Sequence, residues 1–121
     1  MSYQDVHSGS LINFSNNLKQ VIKNSKVFII CDSNTESCLT YIEENITFKN
    51  SFKLSIEAGE ENKNINQLLK IWEFLNQNKA NKNDWIINLG GGMVCDLGGF
   101  AASTFKRGIS FINIPTCLLG M

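Results

Sequence analysis

The stretch Asn88-Leu89-Gly90-Gly91-Gly92-Met93-Val94-Cys95-Asp96 is the part of this chain best suited to holding a ligand. Consecutive glycines let a backbone turn sharply and approach a bound group with no Cβ in the way. A helix starting there aims unpaired N–H groups and the positive end of its dipole at the same spot, where a pyrophosphate is stabilised. Read as G-x-G-x-x-G, the segment supplies Gly90 and Gly92 but carries Cys95 in the third glycine position. The fingerprint is partial, and a plain tight turn between strand and helix stays open as the alternative. A usual dinucleotide fingerprint also follows the first strand, whereas this one follows the third or fourth.

Two further loops carry suitable groups. Asp32 and Asn34 follow the apolar run Lys26 to Cys31, at the end of a strand where open α/β sheets bind ligands. A carboxylate there can accept hydrogen bonds from a ribose diol, or the pair can simply build the turn and cap the next helix. Glu60 and Lys63 occupy a comparable loop after a weaker strand, and capping or surface charge is their plainer role. A metal site is not indicated: Cys31, Cys38, Cys95 and Cys117 are scattered with no C-x-x-C pair, and the single histidine, His7, lies in a polar leader.

These loops need elements to hold them. Lys26 to Cys31, Phe52 to Ile56, Trp85 to Leu89 and Ile109 to Ile114 read as strands, the last stopped by Pro115, the only proline. Between them the periodicity predicts helices over Phe14 to Ile22 and Thr35 to Glu44, the latter with Cys38, Leu39 and Ile42 inward. A longer helix places Ile65, Leu68, Leu69, Trp72 and Leu75 on one buried face, with Trp72 as core and not a ligand platform. A last helix, about Val94 to Phe105, is kept thin by Gly98, Gly99, Ala101 and Ala102. Strands alternating with helices imply βαβ units: an α/β, Rossmann-like domain with a mostly parallel sheet.

At 121 residues the chain has the size of one domain. Eleven basic residues balance eleven acidic ones, so no strong field points to nucleic acid or a membrane surface. No apolar run approaches the roughly 20 residues that span a bilayer. The polar, acidic stretch from Met1 to Ser10 is unlike a secretory signal, and free thiols suit a reducing cytoplasm.

Taken in order, several segments closely resemble 3-dehydroquinate synthase. They are Gly59-Glu60-Glu61-Asn62-Lys63, Gly90 to Leu97, Gly99-Phe100-Ala101-Ala102-Ser103-Thr104-Phe105-Lys106-Arg107-Gly108, and Ile114-Pro115-Thr116-Cys117-Leu118-Leu119. The likeness runs along essentially the whole chain and is densest from Trp85 to Leu119. It implies the N-terminal half of a two-domain fold, with residues 1–121 as the NAD-binding domain. The parent enzyme would turn 3-deoxy-D-arabino-heptulosonate 7-phosphate into 3-dehydroquinate and phosphate, in the shikimate pathway. Bound NAD oxidises a carbinol transiently, which acidifies the neighbouring C–H so that phosphate can leave by elimination. A divalent metal, zinc or cobalt, holds the substrate hydroxyls.

The resemblance also implies roles for single residues. Asp32 matches an acidic position that binds the adenosine ribose. Gly59, Glu60, Glu61 and Lys63 match a loop lining the NAD site. Gly91, Gly92, Met93, Val94 and Asp96 match the glycine loop over the pyrophosphate, and Thr116 and Cys117 stand where a cofactor-facing pair of threonines is typical. Arg107 matches an arginine that contacts the substrate phosphate from the partner subunit, which implies a homodimer. Cys95 replaces a common glycine, Cys117 replaces the second threonine and loses a hydroxyl, and Glu57 stands where proline is frequent.

Family members are much longer than this chain. Their aspartate-rich loop, Gly-Gly-Lys segment, catalytic lysines, and metal-binding glutamate and histidines would lie beyond Met121, in a C-terminal metal-binding helical domain. On this reading the chain alone is inactive. Other readings are a different sugar-phosphate cyclase of the 2-epi-5-epi-valiolone synthase type, a glycerol or iron-type alcohol dehydrogenase, or a non-catalytic nucleotide-binding module. The run Ser103 to Gly108 favours a cyclase over a dehydrogenase.

Overall fold

A computed structural model describes residues 3–5 and 24–115. The helix expected over Phe14 to Ile22, along with His7, Thr116 and Cys117, lies outside these residues. The elements are β1 (Tyr3–Asp5), β2 (Lys26–Asp32), α1 (Cys38–Asn45), β3 (Asn50–Ile56), a 3-10 turn (Glu60–Asn62), α2 (Ile65–Gln77), β4 (Trp85–Leu89), α3 (Gly92–Thr104) and β5 (Ser110–Ile114). Among the described residues the strands form one five-stranded sheet in the order β1-β5-β4-β2-β3, and every pairing is parallel.

A parallel sheet is covered on both faces, so its inner strands are apolar on both sides. β2 shows this directly. Val27, Ile29 and Cys31 join Cys38, Ile42 and Ile46 on the α1 side, together with Ile87 and Leu89. Phe28 and Ile30 point the other way, into a cluster with Leu68, Ile71 and Leu75 of α2 and Val94, Ala101 and Ala102 of α3. Phe28 stacks on Phe52 at 5.1 Å between ring centroids and meets Phe74 edge-on at 5.7 Å.

The long helix extends over the expected stretch, but its inward face is rotated from the expected one. Leu68, Ile71 and Leu75 are buried, while Ile65 and Leu69 stay 59% and 44% exposed. Trp72 packs against the core and donates from Nε1 to Thr104 Oγ1 at 3.1 Å, tying α2 to α3. The helix expected from Thr35 begins only at Cys38, because residues 33–37 form a turn held by Asp32. β1 was not expected at all: it falls in the polar leader and pairs Tyr3 to Asp5 with Phe111 to Asn113.

α3 lies close on the sheet, as its small residues anticipate. A Cβ on Gly98 would sit 1.7 Å from Asn88 Oδ1, and one on Gly99 would come within 3.2 Å of the Phe111 ring. Asn88 is fully buried and donates from Nδ2 to Asn113 Oδ1, its cross-strand partner, at 2.9 Å. At the other edge of the sheet, buried Asp84 accepts from the N–H groups of Lys26 and Asn81 at 3.0 and 2.9 Å, joining the starts of β2 and β4.

Candidate functional site

Chain order and sheet order diverge at β2. The chain leaves β2 through α1 on one face to reach β3. It then crosses back through α2, on the opposite face, to place β4 on the far side of β2. The loops after β2 and β4 therefore run to opposite faces, α1 on one and α3 on the other. A crevice opens between such loops at the carboxyl ends of the strands, the place where open α/β sheets bind ligands.

Asp32 ends β2 at this crevice and is 8% exposed. Its Oδ1 accepts from the N–H groups of Asn34 and Thr35, each at 2.9 Å, and lies 2.9 Å from Thr35 Oγ1. The turn reading of Asp32 thus holds for one carboxylate oxygen. Oδ2 has no donor among the described residues. Asn34 gives its N–H to that turn and is exposed.

On the other side of the crevice, Gly90 takes φ +153° and donates its N–H to Ile114 O at 3.2 Å. A Cβ there would press on Val94 Cγ2 at 3.2 Å and touch Thr35 Oγ1 at 3.4 Å. Gly91 and Gly92 are exposed, and an added Cβ on either would meet nothing within 4 Å. The first intrahelical bond of α3 runs from Cys95 N to Gly91 O at 3.1 Å, and no side chain caps the helix. The N–H groups of Gly92, Met93 and Val94 consequently have no acceptor among the described residues. α2 is different: Asn64 caps it by accepting from Gln67 N. Met93 and Val94 bury their side chains in the core, so they can meet a ligand only through the backbone. Cys95 fits the missing glycine's place, half-buried, with Sγ 3.8 Å from Gly90 O.

The loop after β3 completes this edge. Gly59 adopts φ +108° and leads into the 3-10 turn holding Glu60 and Glu61, both exposed. Lys63 reaches across to α3, placing Nζ 2.7 Å from Asp96 Oδ2 and 3.4 Å from Glu60 Oε1. Hydrogen bonding to Asp96 and its charge raise the Lys63 pKa above the ordinary lysine value, with Glu60 adding to the effect. Backbone links finish the assembly: Ser33 N donates to Ile56 O at 3.0 Å and Ala58 N to Ser33 Oγ at 3.1 Å.

All the expected cofactor-facing residues that are described gather at this edge. Arg107 does not. It lies in the turn between α3 and β5, at the opposite end of the strands, where it lines a cavity of about 240 Å³ with Lys82, Phe105 and Lys106. Thr35, expected at the start of a helix, sits instead in the turn after β2, where the Asp-x-x-Thr spacing is a turn signal. The described residues contain no cluster of three or more His, Cys, Asp or Glu that could hold a metal. None of their helices is long and apolar enough to cross a membrane.

The sheet order and the crevice define a doubly wound α/β module. Solved structures share that fold. One is 2-deoxy-scyllo-inosose synthase complexed with carbaglucose-6-phosphate, NAD+ and Co2+, with TM-score 0.75 and 22% identity over 94% of this chain and 31% of that one. Another is 2-epi-5-epi-valiolone synthase from Streptomyces hygroscopicus with NAD+ and Zn2+ bound, with TM-score 0.75 and 20% identity over 96% of this chain and 33% of that one. The sequence is more specific. A profile of the 3-dehydroquinate synthase N-terminal family matches residues 53–121, and the chain belongs to that family. It is 46% identical over 99 residues to 3-dehydroquinate synthase of Parabacteroides distasonis, covering 81% of this chain and 28% of the relative. Against the Clostridium botulinum synthase it is 42% identical over 122 residues, covering 98% and 35%. The chain thus spans about a third of the length of these curated relatives.

Proposed function

We propose that residues 1–121 form the NAD-binding domain of a 3-dehydroquinate synthase. The enzyme that carries them converts 3-deoxy-D-arabino-heptulosonate 7-phosphate to 3-dehydroquinate and phosphate. The observation that carries this reading is the uncapped start of α3, set across the crevice from the free oxygen of Asp32. The N–H groups of Gly92, Met93 and Val94, with the helix dipole, suit a pyrophosphate. Asp32 Oδ2 suits the adenosine ribose hydroxyls. Gly59, Glu60, Glu61, Lys63 and Asp96 close the third side, and Gly91 lets the backbone come near. Thr116 and Cys117 follow β5, a strand that ends at the same edge of the sheet. These residues fit NAD, which supplies the reversible hydride transfer when bound; the chain's own part is to bind and orient it.

Arg107 is proposed to hold the substrate phosphate. Its place at the far end of the strands suits delivery to a neighbouring copy in a homodimer. The zinc or cobalt ion would be held by a C-terminal helical domain of the same enzyme. The sequence carries neither the charge bias of a nucleic-acid binder nor a membrane span, and the expected setting is the cytoplasm.

Another cyclase is the second reading, favoured by the shared fold of the solved structures. The higher identity to the dehydroquinate synthases favours the first. Phosphate release and product analysis decide between them, using the enzyme that carries this chain with NAD and zinc or cobalt. Conversion of the seven-carbon substrate to 3-dehydroquinate is expected; formation of a different carbocycle overturns it. Calorimetry should show NAD binding to that enzyme and weak or absent binding to residues 1–121 alone, where one wall of the cofactor site is missing.

A further inference from the structure

The turn after β2 contains a residue whose contacts reach both walls of the crevice. Thr35 Oγ1 accepts the Asp32 N–H at 3.0 Å. The same hydroxyl lies 2.9 Å from Asp32 Oδ1 and 3.1 Å from Leu89 O, the carbonyl that opens the glycine turn. Leu89 is distant in sequence, so this contact exists only in the folded sheet.

We infer that Thr35 is a positioning residue for the cofactor site, fixing the Asp32 carboxylate and holding the glycine turn at a set distance from it. The inference rests on the proposed role of Asp32 toward the ribose. Three donors can gather on Oδ1: two N–H groups and the Thr35 hydroxyl. With Oδ1 so occupied, rotation of the carboxylate is blocked and Oδ2 is presented to the open side. The hydroxyl carries one proton, which Oδ1 and Leu89 O compete for at nearly equal distance. The oxygen therefore acts as a bridge between the carboxylate that would take the ribose and the turn that would take the pyrophosphate. Ligand groups separated by a fixed covalent length need binding walls separated by a fixed distance.

Thr35→Val keeps the shape and removes the hydroxyl, and Thr35→Ser keeps the hydroxyl and loses a methyl. Both are to be made in the full-length enzyme, with NAD affinity read by calorimetry, kcat at saturating NAD, and melting of the NAD-free protein. Thr35→Val should weaken NAD binding by roughly tenfold, the scale of a lost hydrogen bond to a charged group. Its kcat at saturating NAD should stay within about twofold, and Thr35→Ser should restore affinity to within about the same margin. In an Asp32→Ala background the Thr35→Val effect should shrink, since the carboxylate it positions is gone. Unchanged affinity in Thr35→Val, no rescue by serine, or strictly additive effects overturn the inference. Asp32→Ala with undiminished NAD affinity overturns instead the ribose reading beneath it. If the valine variant does not fold, Thr35→Ala takes its place with the same outcomes.

Discussion

Lys63 Nζ lies 2.7 Å from Asp96 Oδ2, joining the loop after β3 to the first turns of α3 across the mouth of the crevice. Both side chains are largely exposed, 40% and 59%. Such a pair adds little to folding, so its value lies in where it holds the two loops. Asp96→Asn in the full-length enzyme should weaken NAD binding by roughly tenfold while moving the melting temperature by no more than about 2 °C. Calorimetry and thermal melting check the two halves.

The same pair sets a pH expectation. The Lys63 pKa is raised above its ordinary 10.5, so the folded protein holds that proton more tightly than the unfolded chain does. The contribution is complete below 10.5 and fades only as pH rises through the higher folded value. NAD affinity should therefore show no Lys63 titration across the neutral range and should fall only in strong alkali. A break near neutrality that disappears in Lys63→Met would contradict this.

Gly98 faces Asn88 with no room for a side chain. Gly98→Ala places a carbon 1.7 Å from Asn88 Oδ1, and the residue that must move is itself fully buried. Overpacking of this kind should cost about 2 kcal/mol. The cost should drop when Asn88→Ser opens the space, so urea denaturation of the single and double variants measures the coupling directly.

Cys31 is buried, and that burial pushes its thiol up to about 11. Because the folded state resists losing this proton, the stabilising effect is whole below 9.0 and is lost between there and about 11. In alkylation at about pH 8 followed by mass spectrometry, Cys31 should stay unmodified unless the protein is unfolded first.

Arg107 and Asp32 stand at opposite ends of the parallel strands. Arg107→Ala should raise KM for the sugar phosphate by at least about tenfold and leave NAD affinity unchanged, as expected when a charged hydrogen-bond donor is lost. Asp32→Ala should do the reverse. Steady-state kinetics in each substrate distinguishes them, and equal effects on both would argue against separate roles.

Much of this architecture is legible in the residues. The β-branched and aromatic runs mark strands because a parallel sheet buries both faces, and the glycine turn with its thin helix announces close approach. The stripe of α2 was legible as a stripe, but not its rotation. Ile65 and Leu69 share a helical side with Trp72, and only the packing against β3 and α3 selects Leu68, Ile71 and Leu75 as the buried side. The Thr35–Leu89 contact and the Lys63–Asp96 pair were out of reach for another reason. Their partners are distant in sequence, and short polar segments carry no periodicity that points to a partner. β1 is the extreme case: Tyr3-Gln4-Asp5 contains one apolar residue and becomes a strand only because β5 offers it an edge.

That edge has a consequence for how the protein is made. Tyr3 stands opposite Phe111, so a segment synthesised early pairs with one that follows it roughly a hundred residues later. At ordinary elongation rates the wait is on the order of ten seconds, long compared with the closure of the helices between them. During that interval β5 does not yet exist, and afterwards its outer hydrogen-bonding edge stays open until β1 docks. Among the described strands, the sheet is thus closed on this side by the one made earliest, and any event that captures Tyr3 to Asp5 first leaves a bare strand edge facing other chains.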